Sequence, residues 1–256
     1  MPPGPLVEAS AVPHWLQPLV TASGQLHTSA LTRVPTPPDG GRPAAVLVLF
    51  GEDGMGPGTG PDVLLLRRSD GLLSHPGQVA FPGGAVDDTD EDAVAAALRE
   101  ASEEVGLDPS GVQPVALLPE LFIPPSGFVV TPVLAHWVRP SPVSAVDPGE
   151  TAAVARVPIS TLVDPANRFR VRHLSGWTGP AFALPGMLVW GFTGGLLAAL
   201  IAFAGWVQPW DESDVRDLDA AWRDVGGLVP LDSETAWRHE MASGRENGAR
   251  RGEVNG

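Results

Sequence analysis

Three glutamates, Glu100, Glu103 and Glu104, are spaced so that an α-helix would bring them together. Residues three and four positions apart lie on one face of a helix, and like charges placed there repel each other. A divalent cation would remove this repulsion, because magnesium and manganese prefer oxygen ligands such as carboxylates. The alternative is an acidic helix face that contacts only water. The spacing therefore predicts a helix, with a metal site as one of its two interpretations.

Apolar residues define the rest of this predicted helix. They recur at helical spacing and predict a buried stripe formed by Ala93, Val94, Ala97, Leu98, Ala101 and Val105. Thr89 or Asp90 is suited to cap the amino-terminal end, and Gly106 stands where a left-handed residue would end the helix. The sequence thus predicts one amphipathic helix from this cap to Val105.

Apolar and β-branched runs predict a sheet on either side of that helix. The predicted strands are Ala44–Phe50, Val63–Arg67, Val115–Phe122, Phe128–Val138, Val154–Pro158, Phe169–His173 and Ala181–Leu184. Further helices are predicted at Val12–Thr21, Thr193–Phe203 and Val215–Val225. Ser69–Gly84 lacks periodicity and is predicted to be a long loop of the kind that often carries function.

The charge balance argues against one class of partner. All 16 basic residues are arginine, and the formal net charge is −14. Such a chain lacks the basic surface that follows nucleic-acid phosphates, so we expect no nucleic-acid partner. An anionic substrate would need bound cations or a few well-placed arginines. The absence of cysteine excludes a thiolate nucleophile and a disulfide framework.

Two segments bear on location. Met1–Ser10 lacks the basic and apolar regions of a secretion signal, so the cytoplasm is the expected compartment. Met187–Val207 has no charged residue and is long enough to span a bilayer. Its flanks lack the cationic residues that usually anchor such a span. We therefore expect no membrane partner, and a helix packed inside the domain.

The residues around the acidic helix strongly resemble the Nudix box. Its usual pattern is a glycine, five residues, a glutamate, seven residues, then Arg-Glu, an apolar residue, any residue, Glu-Glu, any residue, a glycine and an apolar residue. The matching residues are Glu91, Arg99, Glu100, Glu103, Glu104, Gly106 and Leu107. Six residues, not five, separate Gly84 from Glu91. Asp90 keeps the usual spacing from Gly84, but only Glu91 keeps the spacing to Arg99, and Glu91 is assigned on that ground.

This resemblance implies a Nudix fold of the α/β (α+β) class, a mixed β-sheet sandwiched between α-helices. It also implies hydrolysis of a nucleoside diphosphate linked to another group, with Mg²⁺ or Mn²⁺ as cofactor. Glu100, Glu103 and Glu104 match the metal-ligand positions, and Gly84 would supply a backbone carbonyl near the metal. Arg99 and Glu91 match positions that orient those ligands. The base that activates water would be Glu103 or Glu104, with Glu150 as the alternative.

A second pattern, upstream of the box, is similar to the signature of the coenzyme A pyrophosphatase branch. It comprises Leu64–Ser69, Gly77 and Phe81–Gly84, at the spacing of that signature. Two positions depart from it, with Leu66 in place of threonine and Leu73 in place of arginine. The branch implies cleavage of coenzyme A, or its acyl esters, to 3′,5′-ADP and (acyl-)4′-phosphopantetheine.

The same stretch supplies the candidate substrate contacts, Arg67, Arg68, His75 and Gln78. Arginine is the side chain best suited to gripping phosphate oxygens. Strand alternation would let one of Arg67 and Arg68 reach phosphate while the other faces water. Two alternatives stay open because Leu73 cannot grip phosphate. One is another dinucleotide substrate, such as NADH or ADP-ribose, and the other is a non-catalytic module that binds a nucleotide.

Three regions are expected along the chain. They are an amino-terminal extension over residues 1–38, the hydrolase domain over residues 39–208, and a partly disordered carboxy-terminal extension over residues 209–256. Within the last of these, Ser243–Gly256 is predicted to be a disordered tail. The oligomeric state is left open, with a homodimer as one alternative.

Overall fold

The computed structural model describes residues 2–32, 34–37, 40–52, 60–124 and 126–226. Its α-helices are α1 Gln17–Ser23, α2 Thr28–Leu31, α3 Ala93–Val105, α4 Ile159–Val163, α5 Gly191–Phe203 and α6 Leu218–Asp224. Its strands are β1 Gly4–Pro5, β2 Arg42–Glu52, β3 Pro61–Arg68, β4 Val79–Ala80, β5 Gly83–Ala85, β6 Val112–Leu117, β7 Leu121–Ile123, β8 Phe128–Trp137, β9 Thr151–Pro158, β10 Arg168–Arg172, β11 Thr178–Leu184, β12 Met187–Val189 and β13 Val215–Asp217.

The described strands form two sheets. The larger sheet has the order β1-β6-β8-β2-β3-β4, and β5, β7 and β9 pair with β2, β8 and β3 respectively. Its β2–β8 pair is parallel and its other pairs are antiparallel, so the sheet is mixed. The smaller sheet has the order β12-β11-β10-β13. The predicted mixed sheet is confirmed.

Alternating side chains bury both faces of the larger sheet. On β2, Leu47 and Leu49 pack with the buried side of α3. Val48 and Phe50, which point the other way, pack with residues of α1 and α5. Because successive residues of a strand point to opposite faces, this continuous apolar run requires a helix layer on each side. The predicted sandwich is therefore confirmed.

The ends of α3 test the predicted caps. Gly106 ends the helix in the left-handed conformation, with φ 67°, as predicted. The amino-terminal prediction is wrong, because the cap is Asp92 and not Thr89 or Asp90. One Asp92 carboxylate oxygen accepts hydrogen bonds from the Val94 and Ala95 amides, each at 2.9 Å. The helix therefore starts later than predicted. Its buried stripe also includes Ala96, which is not part of the predicted stripe.

Three other predicted elements differ in extent. The predicted strand Val115–Phe122 is two strands, β6 and β7, which both pair with β8; the ladder is interrupted around Pro119, which has no amide hydrogen to donate. The predicted helix Val12–Thr21 begins only at Gln17 and continues to Ser23. The predicted helix Val215–Val225 begins as β13, which pairs in parallel with β10. A long-range strand pairing thus replaces the first turn of that predicted helix.

The apolar segment Met187–Val207 is not one continuous helix. Its first residues form β12, and α5 begins at Gly191, whose φ is 62°. Across the described ranges, no helix combines the length and the apolar character that a membrane crossing requires. The predicted tail Ser243–Gly256 lies outside the described residues.

Candidate active site

The short strand β5 lies directly against two of the three glutamates of α3. The Gly83 N–H donates a hydrogen bond of 2.9 Å to Oε2 of Glu104. A Cβ atom added at Gly84 would meet the carboxylate of Glu100, so any larger residue here would push that carboxylate aside. The glycines of the motif thus bring the backbone up to the carboxylates of Glu100 and Glu104.

Glu104 carries its charge in an unfavourable environment. Burial, together with the nearby carboxylates of Glu100 and Glu150, raises the pKa of Glu104 to about 7. The Gly83 N–H and the positive charge of Arg68 act in the opposite direction, but they do not cancel the effect of burial. A cation bound beside Glu104 would favour its ionised form. The site therefore fits a divalent metal electrostatically.

The other two glutamates are progressively more exposed. Burial raises the pKa of Glu100, while the hydrogen bond from Arg99 lowers it. The Glu103 side chain is 61% exposed and accepts a hydrogen bond of 3.1 Å from Nη1 of Arg99. Within the described ranges, no three His, Asp or Glu side chains are already gathered into one metal-binding group. Magnesium is commonly held by one or two carboxylates together with water and substrate phosphates. Glu100 and Glu104 suit such an open site.

Arg99 holds this part of the site together. Its Nε and Nη2 donate to the two carboxylate oxygens of Asp90 at 3.0 and 2.8 Å. Nη2 also donates to the Ala85 carbonyl at 3.1 Å, and Nη1 donates to both Glu100 and Glu103. One guanidinium therefore ties the loop before the helix and the end of β5 to two of the glutamates.

Asp90, and not Glu91, occupies the position that orients Arg99. The Asp90 side chain is 5% exposed, and its hydrogen bond with Arg99 lowers its pKa. Glu91 is exposed and immediately precedes the Asp92 cap. The acid that contacts Arg99 therefore follows Gly84 after five residues, as in the usual pattern of the box. The one extra residue of this chain lies between Asp90 and the start of α3. The assignment of Glu91 relied on the spacing to Arg99, whereas the five-residue spacing from Gly84 would have identified Asp90.

Substitution of each acid separately tests this placement. We expect Asp90→Asn to lower kcat/KM and the apparent affinity for Mn²⁺ by about 10- to 100-fold, because an Arg99 without its partner no longer fixes Glu100. We expect Glu91→Gln to stay close to the wild type. Steady-state kinetics and a Mn²⁺ titration measure both effects. A larger loss in Glu91→Gln than in Asp90→Asn would contradict the placement.

Arg68 and Glu150 complete the surroundings of Glu104. Arg68 pairs with Thr151 across the β3–β9 ladder, and the Ser69 amide donates to the Glu150 carbonyl at 2.8 Å. These contacts place Arg68, at the end of β3, beside Glu150, which immediately precedes β9. Among the residues that the structure describes, the buried Nε of Arg68 has no hydrogen-bond partner. The positively charged Arg68 side chain, with an N–H donor available beside the Glu104 carboxylate, is well suited to bind an anionic substrate.

The remaining predicted substrate contacts lie in and beside the loop after β3. Strand alternation left open which of Arg67 and Arg68 faces water; the β3–β9 register shifts between the two residues, and Arg67 is mostly shielded from water. Its side chain is 16% exposed and its Nη2 pairs with Asp70 at 2.5 Å. His75 has the left-handed φ of 52°, and the Gln78 carbonyl accepts a hydrogen bond of 2.9 Å from the Arg68 amide. Of the four candidates, Arg68 is the one whose charge acts on Glu104.

Comparison with known proteins identifies the family. Among solved structures, the chain is similar to a C. elegans Ap4A hydrolase binary complex (21% identity, 64% of this chain and 98% of that chain, TM-score 0.42). It is also similar to the M. smegmatis Nudix hydrolase RenU (20% identity, 69% of this chain and 97% of that chain, TM-score 0.44). The Escherichia coli (strain K12) protein named "Uncharacterized Nudix hydrolase NudL" is 40% identical over 158 residues, which cover 58% of this chain and 78% of that protein. The NUDIX domain family matches residues 40–176, more than half of the 256 residues. The chain therefore belongs to the Nudix family and is a pyrophosphohydrolase of nucleoside diphosphate compounds.

Proposed function

We propose that this enzyme hydrolyses the diphosphate bond of coenzyme A or of acyl-coenzyme A. The products would be 3′,5′-ADP and (acyl-)4′-phosphopantetheine. One observation carries the proposal: Arg68 and Gly83, which belong to the coenzyme A signature, both act on Glu104. These contacts bring the signature next to the acidic helix, which supports a role for the signature in selecting the diphosphate that is cut.

The two departures from the signature differ in their surroundings. Leu66 is 1% exposed and packs with the buried stripe of α3, so threonine at this position would face the core. Leu73 is fully exposed on the loop after β3. An arginine there would reach out from the loop towards a bound phosphate. Its absence leaves Arg68 as the main candidate to contact the diphosphate.

The residues that would hold Mg²⁺ or Mn²⁺ are Glu100, Glu103 and Glu104, with the Gly84 carbonyl close by. A bound cation supplies charge neutralisation for the diphosphate and makes the attacking water more acidic. Their oxygen-only donor set favours these hard cations over softer metals. Arg99 keeps Glu100 and Glu103 oriented through the hydrogen bonds of its Nη1.

The protein's own groups would guide the hydrolysis. Arg68 would hold an oxygen of the diphosphate through its unused Nε–H donor. Water attacks one phosphorus atom, a P–O bond to the water oxygen forms, and the P–O bond to the bridging oxygen breaks. Glu104 or Glu103 would take the proton from the water, and Glu150 is the alternative base. The bridging oxygen leaves as part of the second phosphate.

Product analysis of coenzyme A incubated with the protein and Mn²⁺ tests this function. We expect equal amounts of 3′,5′-ADP and 4′-phosphopantetheine by liquid chromatography and mass spectrometry, and none with Glu104→Gln as control. Release of AMP from NADH or ADP-ribose, with coenzyme A intact, would favour the other dinucleotides. No turnover of any diphosphate with Mg²⁺ or Mn²⁺ would favour a module that only binds a nucleotide.

A further inference from the structure

Helix α6 meets the loop that carries Ser69 and Gly77 of the coenzyme A signature. Trp222 of α6 is only 5% exposed. A Cβ atom added at Gly77 would lie 3.2 Å from Cζ2 of Trp222 and 2.6 Å from Oδ1 of Asp70. We define residues 69–78 as the signature loop. The Trp222 indole packs against one side of this loop.

Contacts within the signature loop connect this point to Arg68. Gly77 has the left-handed φ of 67°, and its amide donates to the Ser69 carbonyl at 3.3 Å. Asp70, next to Gly77, is held by Arg67. The Arg68 amide in turn donates to the carbonyl of Gln78, the last residue of the loop. A shift of Gly77 would therefore move the backbone that anchors Arg68.

Trp222 is itself firmly supported. Its ring packs edge-on against Trp190, with 6.2 Å between the ring centroids. It belongs to a buried cluster that also contains Leu188 and Leu218. The strand β13, immediately before α6, pairs with β10 and fixes the helix on the smaller sheet. Residues 215–224 are thus built into the fold and present a rigid surface to the signature loop.

We propose, on the basis of the proposed function, that Trp222 is a positioning residue for substrate binding. It holds the signature loop in the conformation in which Arg68 and Gln78 face the diphosphate. Without the indole, the loop gains conformational freedom that substrate binding must remove again, and this costs affinity. The glutamates of α3 lie outside the signature loop and keep their own contacts with Gly83 and Arg99, so we expect the main effect on substrate binding.

Three variants separate positioning from general stability. Trp222→Ala removes the ring, Trp222→Phe keeps an aromatic surface, and Leu218→Ala removes a buried side chain from the same helix and cluster. Leu218 is 5% exposed, like Trp222, so both alanine variants disturb the cluster. The assay measures KM and kcat for coenzyme A with Mn²⁺, together with the melting temperature of each protein.

For Trp222→Ala we expect KM to rise about tenfold with kcat nearly unchanged, which marks lost binding rather than lost chemistry. Trp222→Phe should recover most of the affinity. Leu218→Ala should lower the melting temperature while KM stays at the wild-type value. Equal KM values in Trp222→Ala and Leu218→Ala would overturn the proposal, as would a fall in kcat alone.

A second variant protects the test against misfolding. Gly77→Ala adds the methyl group that meets Asp70 and Trp222, and should raise KM even if Trp222→Ala does not fold. The double variant should be no worse than the more affected single variant, because both changes disturb the loop at the same point, the contact between Gly77 and Trp222. If wild-type protein cleaves another dinucleotide and not coenzyme A, the proposed function fails. The KM values of Trp222→Ala and Leu218→Ala for that dinucleotide then decide the role of Trp222.

Discussion

Glu104→Gln should lower kcat by about 10³-fold while the protein stays folded, since loss of a catalytic base typically costs 10²- to 10⁴-fold. Glutamine has nearly the same volume, and its amide oxygen still accepts the Gly83 N–H that now reaches Glu104. The substitution removes the negative charge on which both cation binding and proton transfer rely. It also removes the cost of burying a carboxylate, so the metal-free variant should melt no lower than the wild type at pH 8.

Kinetics with Mn²⁺ and a thermal melt of each variant measure these effects. Glu120→Gln is the matched control, because Glu120 is exposed and its backbone carbonyl, not its carboxylate, makes the contact with Thr28. Glu103→Gln should lose turnover mainly through weaker metal binding, so excess Mn²⁺ should restore part of its rate. Wild-type turnover in Glu104→Gln would remove Glu104 from the site.

Arg68→Met should lower kcat/KM by about 10²-fold, comparable to the loss of one donor that stabilises transition-state charge. Methionine keeps the buried stem but removes the positive charge and the unused Nε–H donor. Because Arg68 lowers the pKa of Glu104, its loss should also move the acidic limb of the pH–rate profile to higher pH. Arg68→Lys should be intermediate, since it keeps the charge without the planar fork.

The pH–rate profile distinguishes this role from a packing role. Arg172→Met is the control, because Arg172 is an exposed arginine on the smaller sheet. A loss of rate in Arg68→Met without any shift of the acidic limb would mean that Arg68 does not act on Glu104. An unchanged kcat/KM would show that the diphosphate is held elsewhere.

Local patterns predicted the body and the carboxy-terminal end of α3, although not its amino-terminal cap. Its buried stripe repeats every turn, and Gly106 adopts the left-handed conformation that ends the helix, so residues near in sequence determine both. The same is true of β2, whose apolar run predicts burial on two faces. For these elements, neighbouring residues carry almost all of the information.

The sequence could not give the features that depend on distant contacts. The choice between Asp90 and Glu91 depends on where the Arg99 side chain points, which spacing alone leaves ambiguous. The pairing of β13 with β10 changes Val215–Asp217 from helix to strand through a partner more than 40 residues away. The contact between Trp222 and the signature loop likewise joins segments that no local pattern relates.

The hydrogen bonds of Arg99 have a consequence for how the site responds to acidity. Its pKa is raised, chiefly by the hydrogen bond with Asp90, so the guanidinium keeps its charge wherever the protein is folded. Glu104, in contrast, changes its protonation near neutrality. Acidification therefore protonates Glu104 while Arg99 and its hydrogen-bond partners keep their arrangement. Activity lost at low pH should return fully on neutralisation.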